Sequence, residues 1–148
     1  MHFRLSGLSP LPFQHLYGLP EAELTQLGVI RYLVDTKPGY PDRITMEDAE
    51  PGQTVLLLNH VCQAADTPYR ASHAIFIREG ATQQYDAVDQ VPASLRAYDE
   101  HGMMLDADVV EGTAIESVIA RLFADPAVGY IHVHNARRGC YAGRIDRA

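Results

Sequence analysis

The stretch Tyr130-Ile-His-Val-His-Asn-Ala-Arg-Arg-Gly-Cys-Tyr-Ala-Gly-Arg144 gathers two histidines, three arginines and a cysteine into fifteen positions. Along a strand successive side chains alternate faces, so His132 and His134 share one face, roughly 7 Å apart at Cα, while Ile131 and Val133 point the other way. Two imidazoles so placed could each give a nitrogen to a transition metal, with His60 or His73 as a third ligand. Cupin-type metal sites also use His-x-His on a strand, but they add a carboxylate a few residues later. Here that stretch reads Asn135-Ala-Arg-Arg-Gly-Cys140, and arginines oppose a bound cation. Hydrogen-bonded strand histidines are the plainer reading, because imidazole suits many partners, and no metal is assigned.

A second chemistry uses the thiol. Cys140 follows Arg137-Arg138-Gly139, and neighbouring positive charge lowers a thiol's pKa. With His132 or His134 as base, Cys140 could act as a nucleophile; a small buried apolar filler is the alternative. The third chemistry is anion recognition. Arg43, His60, Tyr69, Arg70, His73, Arg96 and Arg138, together with His132 and His134, could line a concave sheet face. There arginines would hold a carboxylate or phosphate bidentately. It needs the fewest assumptions and leads the metal-dependent or thiol-dependent enzyme. A structural or partner-binding module without a site is the further alternative, its polar side chains an ordinary half-solvated face.

Composition narrows the classes. The 148 residues are 47% hydrophobic, enough for a single domain with a real core, spanning 1–148. Net charge is −7, unevenly spread: residues 79–125 carry ten acids against Arg96 and Arg121, while 126–148 carry four arginines against Asp146. An acidic protein repels nucleic acid and anionic membrane at long range, so neither is an expected partner, whereas one small anion at a local arginine cluster is compatible. Eleven arginines stand against one lysine, which fits a GC-rich bacterial genome as well as oxyanion binding. No apolar run approaches the roughly 20 residues of a membrane span, and no leader pattern opens the chain. A cytoplasmic protein is expected. Cys62 and Cys140, with no CxxC pair, read as free thiols. GxxxxGK[ST], GxGxxG, GxSxG and HExxH are all absent, which disfavours nucleotide-driven chemistry.

The elements that must position these residues follow from periodicity. Strands are expected over 2–5, 29–35, 54–60, 69–79, 95–99, 103–110, 128–135 and 140–145. Val55-Leu-Leu-Leu58 reads as a strand covered on both faces. Pro20 to Gly28 reads as a short helix, and 113–123 as the principal one, with Ile115, Val118, Ile119, Leu122 and Phe123 at helical spacing. Thr36 to Arg43 is a proline-rich loop, Thr45 to Asp48 a helical turn and 80–92 a surface loop. Strands in succession predict an α+β fold: a mostly antiparallel sheet with one or two packed helices.

Five blocks carry a family likeness: Asp35-Thr-Lys-Pro-Gly-Tyr-Pro-Asp-Arg43, Asp48-Ala-Glu-Pro-Gly-Gln-Thr-Val-Leu-Leu-Leu58, residues 67–79, Leu95-Arg-Ala-Tyr-Asp99 and His132-Val-His-Asn-Ala-Arg-Arg-Gly-Cys-Tyr141. Together they resemble, essentially end to end, the bacterial family called domain of unknown function 1203. The resemblance implies no established activity. Many members place a cysteine just before the arginine of the proline loop, where this chain has Asp42. That departure weakens any scheme needing a thiol there and leaves the block around Cys140 as the closer match.

Overall fold

A computed structural model describes residues 3–87 and 93–147. In chain order the elements are β1 (Phe3–Ser6), a 3-10 turn (Gln14–Leu16), α1 (Glu21–Gln26), β2 (Ile30–Leu33), β3 (Thr54–Gln63), β4 (Ala71–Arg78), β5 (Asp86–Ala87), β6 (Ala93–Tyr98), β7 (Met104–Val110), a second 3-10 turn (Gly112–Ala114), α2 (Ile115–Leu122), β8 (Tyr130–Asn135) and β9 (Tyr141–Arg147). The class is α+β with antiparallel pairing, as the succession of strands predicts. The single expected sheet is instead two, of six strands and of three. Residues 88–92 of the expected surface loop and residue 2 of the first expected strand lie outside the described residues. Among the described residues no helix is long and apolar enough to cross a membrane.

The chain forms two compact units, the first comprising 1–6, 61–72 and 86–148, the second 7–60 and 73–85. In the first, six strands run in the order β5-β1-β9-β8-β6-β7. Period-two alternation gives this sheet an apolar face: Leu5, Leu95, Ala97, Ile131, Val133 and Ile145 are all buried. Helix α2 packs on β6 and β7, and its buried stripe is Ile115, Ile119 and Leu122, the positions that helical spacing singles out. Each such side chain, removed from water, stabilises by about 1.5–3 kcal/mol.

Two details of this sheet matter later. Between β8 and β9 the register shifts at Val133/His134: His134 lies opposite Tyr141, but His132 lies opposite Arg144. One extra residue in β9, a bulge, accounts for it. At the outer edge, the Asp106 and Asp108 carboxylates accept from the N–H groups of Ala107 (2.7 Å) and Val109 (2.8 Å). Arg121, in the last turn of α2, donates to the same two carboxylates at 2.8 and 2.9 Å.

The second unit holds β2 and most of β3 and β4, which form a sheet in the order β2-β3-β4. Thr54 faces Glu79, and at the other end Cys62 faces Ala71, so β3 and β4 run antiparallel. Strand β3 is buried on both faces, as its run of apolar residues predicts. Leu56 and Leu58 join Phe13, Leu24, Ile44 and Ile77 on one side, and Val55 joins Val34 and Ala49 on the other.

The expected helical turn at Thr45 to Asp48 does not form. Asp42 dictates a different course. Its carboxylate is fully buried and accepts four hydrogen bonds: Oδ1 from the N–H groups of Ile44 (3.2 Å) and Arg78 (2.9 Å), Oδ2 from the N–H (3.0 Å) and hydroxyl (2.7 Å) of Thr45. The hydroxyl of Thr45, the candidate helix cap, is thereby committed backwards. Met46 then turns at φ 61°, and Asp48 bridges to Pro41. A side chain that offers the backbone its own partners competes with helix.

Candidate functional site

The polar face of the six-stranded sheet carries the chemistry. Directly paired residues share a face, and the registers Arg96 to His132 and His132 to Arg144 align these three side chains in one row across β6, β8 and β9. The row before it pairs Tyr98 with Tyr130, and the row after pairs Ser94, His134 and Tyr141. His132 and His134 do share a face, with ring centroids 6.1 Å apart. Both are buried. The His132 ring lies 5.1 Å from Tyr98, 5.2 Å from Tyr130 and 5.1 Å from Tyr141, an aromatic cage with edge-on or tilted geometry.

A cleft of about 460 Å³ opens over this face. Tyr130 and His132 of β8 and Arg144 of β9 line it from the six-stranded sheet; Cys62 and Gln63 line it from the end of β3, and Ala64, Ala65, Glu100 and Gly129 from loops. The guanidinium of Arg144 lies 4.0 Å above the Tyr130 ring centroid, and its Nε and Nη2 donate to Asp146 at 2.8 to 3.0 Å. Cation–π stacking and a two-point ion pair together fix the plane of the guanidinium. Gln63 braces the rim: its amide Nε2 donates to the Tyr130 hydroxyl at 2.8 Å, and its Oε1 accepts from the Ala65 N–H at 3.3 Å. Thr67 Oγ1 donates to the Gly102 carbonyl at 3.1 Å. Gly102 sits at φ 82°, and a Cβ there would fall 2.2 Å from that of Ala65. Only glycine allows these loops to close on each other.

Protonation states follow from burial. Tyr141 is pushed well above the ordinary phenol value by desolvation. Burial raises Tyr98 too, with the hydrogen bond and charge of Arg96 pulling part of the way back. Both stay neutral donors at physiological pH. His134 Nδ1 lies 3.0 Å from the Gly139 carbonyl; a carbonyl only accepts, so Nδ1 carries the proton and Nε2 holds the lone pair when the ring is neutral.

Burial also raises the Cys62 thiol, outweighing the pull of nearby backbone N–H groups and of Arg96. Its Sγ donates to the Ala71 carbonyl at 3.5 Å. Alkylation of Cys62 by iodoacetamide is therefore expected to follow an apparent pKa above the free-thiol value of about 8.5. Peptide mapping of the alkylated protein across pH 6–10 checks this, and half-maximal labelling at or below pH 8 would contradict it.

A family model described as Protein of unknown function (DUF1203) matches residues 39–147. The chain belongs to the DUF1203 family. The matched span includes every residue lining the cleft. No curated protein and no solved structure matches the chain.

Within this DUF1203 fold the sequence-derived candidates separate. His132 lines the cleft, His134 stands behind it on the same strand face, and Arg96 shares the row of His132. Tyr69 reaches the cage from the side, 6.4 Å from Tyr98, and Arg70 Nη1 donates to the Ala64 carbonyl, supporting the rim. Cys140 and Arg138 occupy the turn between β8 and β9. There the Asn135 side chain accepts from the N–H groups of Arg137 and Arg138, at 2.9 and 3.1 Å, and Asn135 N–H donates to the Cys140 carbonyl at 2.9 Å. The thiol that lines the cleft is Cys62. Arg43, His60 and His73 belong to the second unit. Arg43 is buried there and exchanges backbone bonds with Phe76 and Leu8, and His60 packs edge-on against Phe13 at 5.7 Å, its pKa lowered by burial. Among the described residues no three or more His, Cys, Asp or Glu side chains are grouped to hold a metal ion. Cys62, Gln63, Glu100, Tyr130 and Arg144 were not legible as site residues. Tyr130 and Arg144 alone had a signal, their places at the two ends of the His- and Arg-rich block.

Proposed function

We propose that this chain binds a small molecule through an anionic group held in the cleft by Arg144, with His132 and Tyr130 orienting the rest. The observation that carries this reading is the fixed guanidinium. Arg144 lies over the Tyr130 ring, 4.0 Å from its centroid, and is bound to Asp146 through Nε and Nη2, and its Nη1 makes no hydrogen bond among the described residues. A guanidinium whose rotamers are already restrained loses little entropy on gripping an oxyanion. The neutral phenols and the imidazole of His132 supply oriented donors and acceptors around it, in the pattern of small-molecule sites.

A thermal-shift screen of phosphates and carboxylates tests the reading. A ligand at about a hundred times its Kd is expected to raise Tm by about 5–10 °C, since selective binding to the native state stabilises it by about 2.7 kcal/mol. Arg144→Gln is expected to remove the shift. The reading fails if no anion moves Tm, or if the shift survives in the Arg144 variant.

A further inference from the structure

The cleft holds two opposite charges, not one. Glu100 lines it together with Arg144, and the Glu100 carboxylate makes no hydrogen bond or ion pair among the described residues. Its position is set by the backbone: the N–H of Gly129 donates to the Tyr98 carbonyl at 2.8 Å, and a Cβ on Gly129 would lie 3.1 Å from Glu100 Cγ and 3.2 Å from Glu100 N. Glycine at 129 thus lets the Glu100 turn close down on the start of β8. The Arg144 guanidinium lies over the ring of the next residue, Tyr130. Glu100 and Arg144 therefore both stand at the wall of this cleft, beside the adjoining residues Gly129 and Tyr130.

We propose that the occupant of this cleft is a zwitterion, a small molecule whose anionic group is held by Arg144 and whose ammonium group is held by Glu100. This rests on the ligand-binding reading above and narrows it. A simple anion would enter beside the like charge of Glu100 and leave that carboxylate partly desolvated without a partner, both of which cost free energy. A simple cation would meet Glu100 but leave the Nη1 donor of Arg144, which the Asp146 pairing through Nε and Nη2 does not use, without an acceptor. A molecule bearing both charges satisfies each end, and its neutral middle lies along Tyr130 and His132, which line the same cleft. An amino acid with its amino and carboxylate groups on a short spacer is the chemical class that fits.

Isothermal titration of the full chain with β-alanine, γ-aminobutyrate and ε-aminocaproate, each beside its N-acetyl and carboxamide derivatives, tests this. One spacer length is expected to bind best, and acetylating or amidating that compound is expected to weaken it about fivefold or more. Glu100→Gln, an isosteric change at an exposed position, is expected to weaken the zwitterion by a similar factor while leaving its N-acetyl derivative bound at least as tightly as before. Arg144→Gln is expected to abolish binding of both, and its melting curve without ligand confirms that it folds. If the N-acetyl compounds or plain carboxylates bind as tightly as the zwitterions, or if Glu100→Gln leaves the preference intact, the zwitterion assignment is overturned while the anion site stands. If no compound carrying an anionic group binds, both are overturned.

Discussion

Replacing Asp42 with alanine is expected to destabilise the protein by about 4 kcal/mol, the largest effect of any polar substitution in the second unit. The reason is the number of donors it serves. Four hydrogen bonds converge on this one buried carboxylate, from Ile44, Arg78 and twice from Thr45. Alanine would leave all four donors without an acceptor where water does not reach. Asparagine keeps a single acceptor oxygen and turns an N–H₂ toward the remaining donors, so Asp42→Asn is expected to cost about 2 kcal/mol. Urea denaturation measures both, and for a chain of this size the alanine variant should melt about 8–16 °C lower. A loss below about 1 kcal/mol for Asp42→Ala would show that the turn is held by something else.

Glu79→Gln is expected to cost about 2–3 kcal/mol and to remove part of the protein's sensitivity to acid. Glu79 joins the pieces of the second unit: its carboxylate accepts from Arg31 Nε (2.9 Å) and Nη2 (2.7 Å), the Thr54 hydroxyl (2.8 Å) and the Gly18 N–H (2.7 Å). Arg31 is tied in turn to Glu21 and to the Leu19 carbonyl. The hydrogen bonds from Arg31 are the main cause that lowers the Glu79 carboxyl from 4.5 to about 2, against the opposing effect of burial. A carboxylate whose folded-state pKa is lowered binds fewer protons when native than when unfolded. Its contribution is complete above pH 4.5 and is lost as pH falls toward 2. The stability difference between wild type and Glu79→Gln should therefore be constant from pH 7 to 5 and shrink steadily below that. A difference that is flat down to pH 2.5 would show that the ion pair is not its source.

How far the sequence foretold this molecule depends on the range of the interactions concerned. Helix α2 was legible because its apolar stripe repeats at 3.6 residues, and β3 because an unbroken apolar run suits a strand buried on both sides. The ends of strands moved by one to three residues, β3 running on to Gln63. Thr45 to Asp48 misled because the capping pattern is local, whereas the acceptor that captured Thr45 is a buried Asp42 also bonded to Arg78. The shared face of His132 and His134 was legible from alternation alone. What faces them was not. In the register that pairs His134 with Tyr141, an unbroken ladder would set Arg144 opposite Ile131, on the face covered by α2. The bulge returns it to His132 and returns Ile145 to Ile131. Cys62 and Gln63 come from the end of β3 and Glu100 from a loop, brought together by approaches that depend on Gly102 and Gly129, and no spacing in the chain announces those approaches.

The outermost strand of the six-stranded sheet has a consequence for how copies of this protein meet. An exposed edge normally invites another chain to zip onto it. Along β7 two alternate amides are already claimed by the carboxylates of the residues that precede them, and those carboxylates project where an incoming backbone would have to offer its own carbonyls. An approaching strand would find repulsion where it needs donors. The apolar Leu105 and Val109, open to water on that strand, can thus be tolerated in a crowded solution without seeding fibrous association.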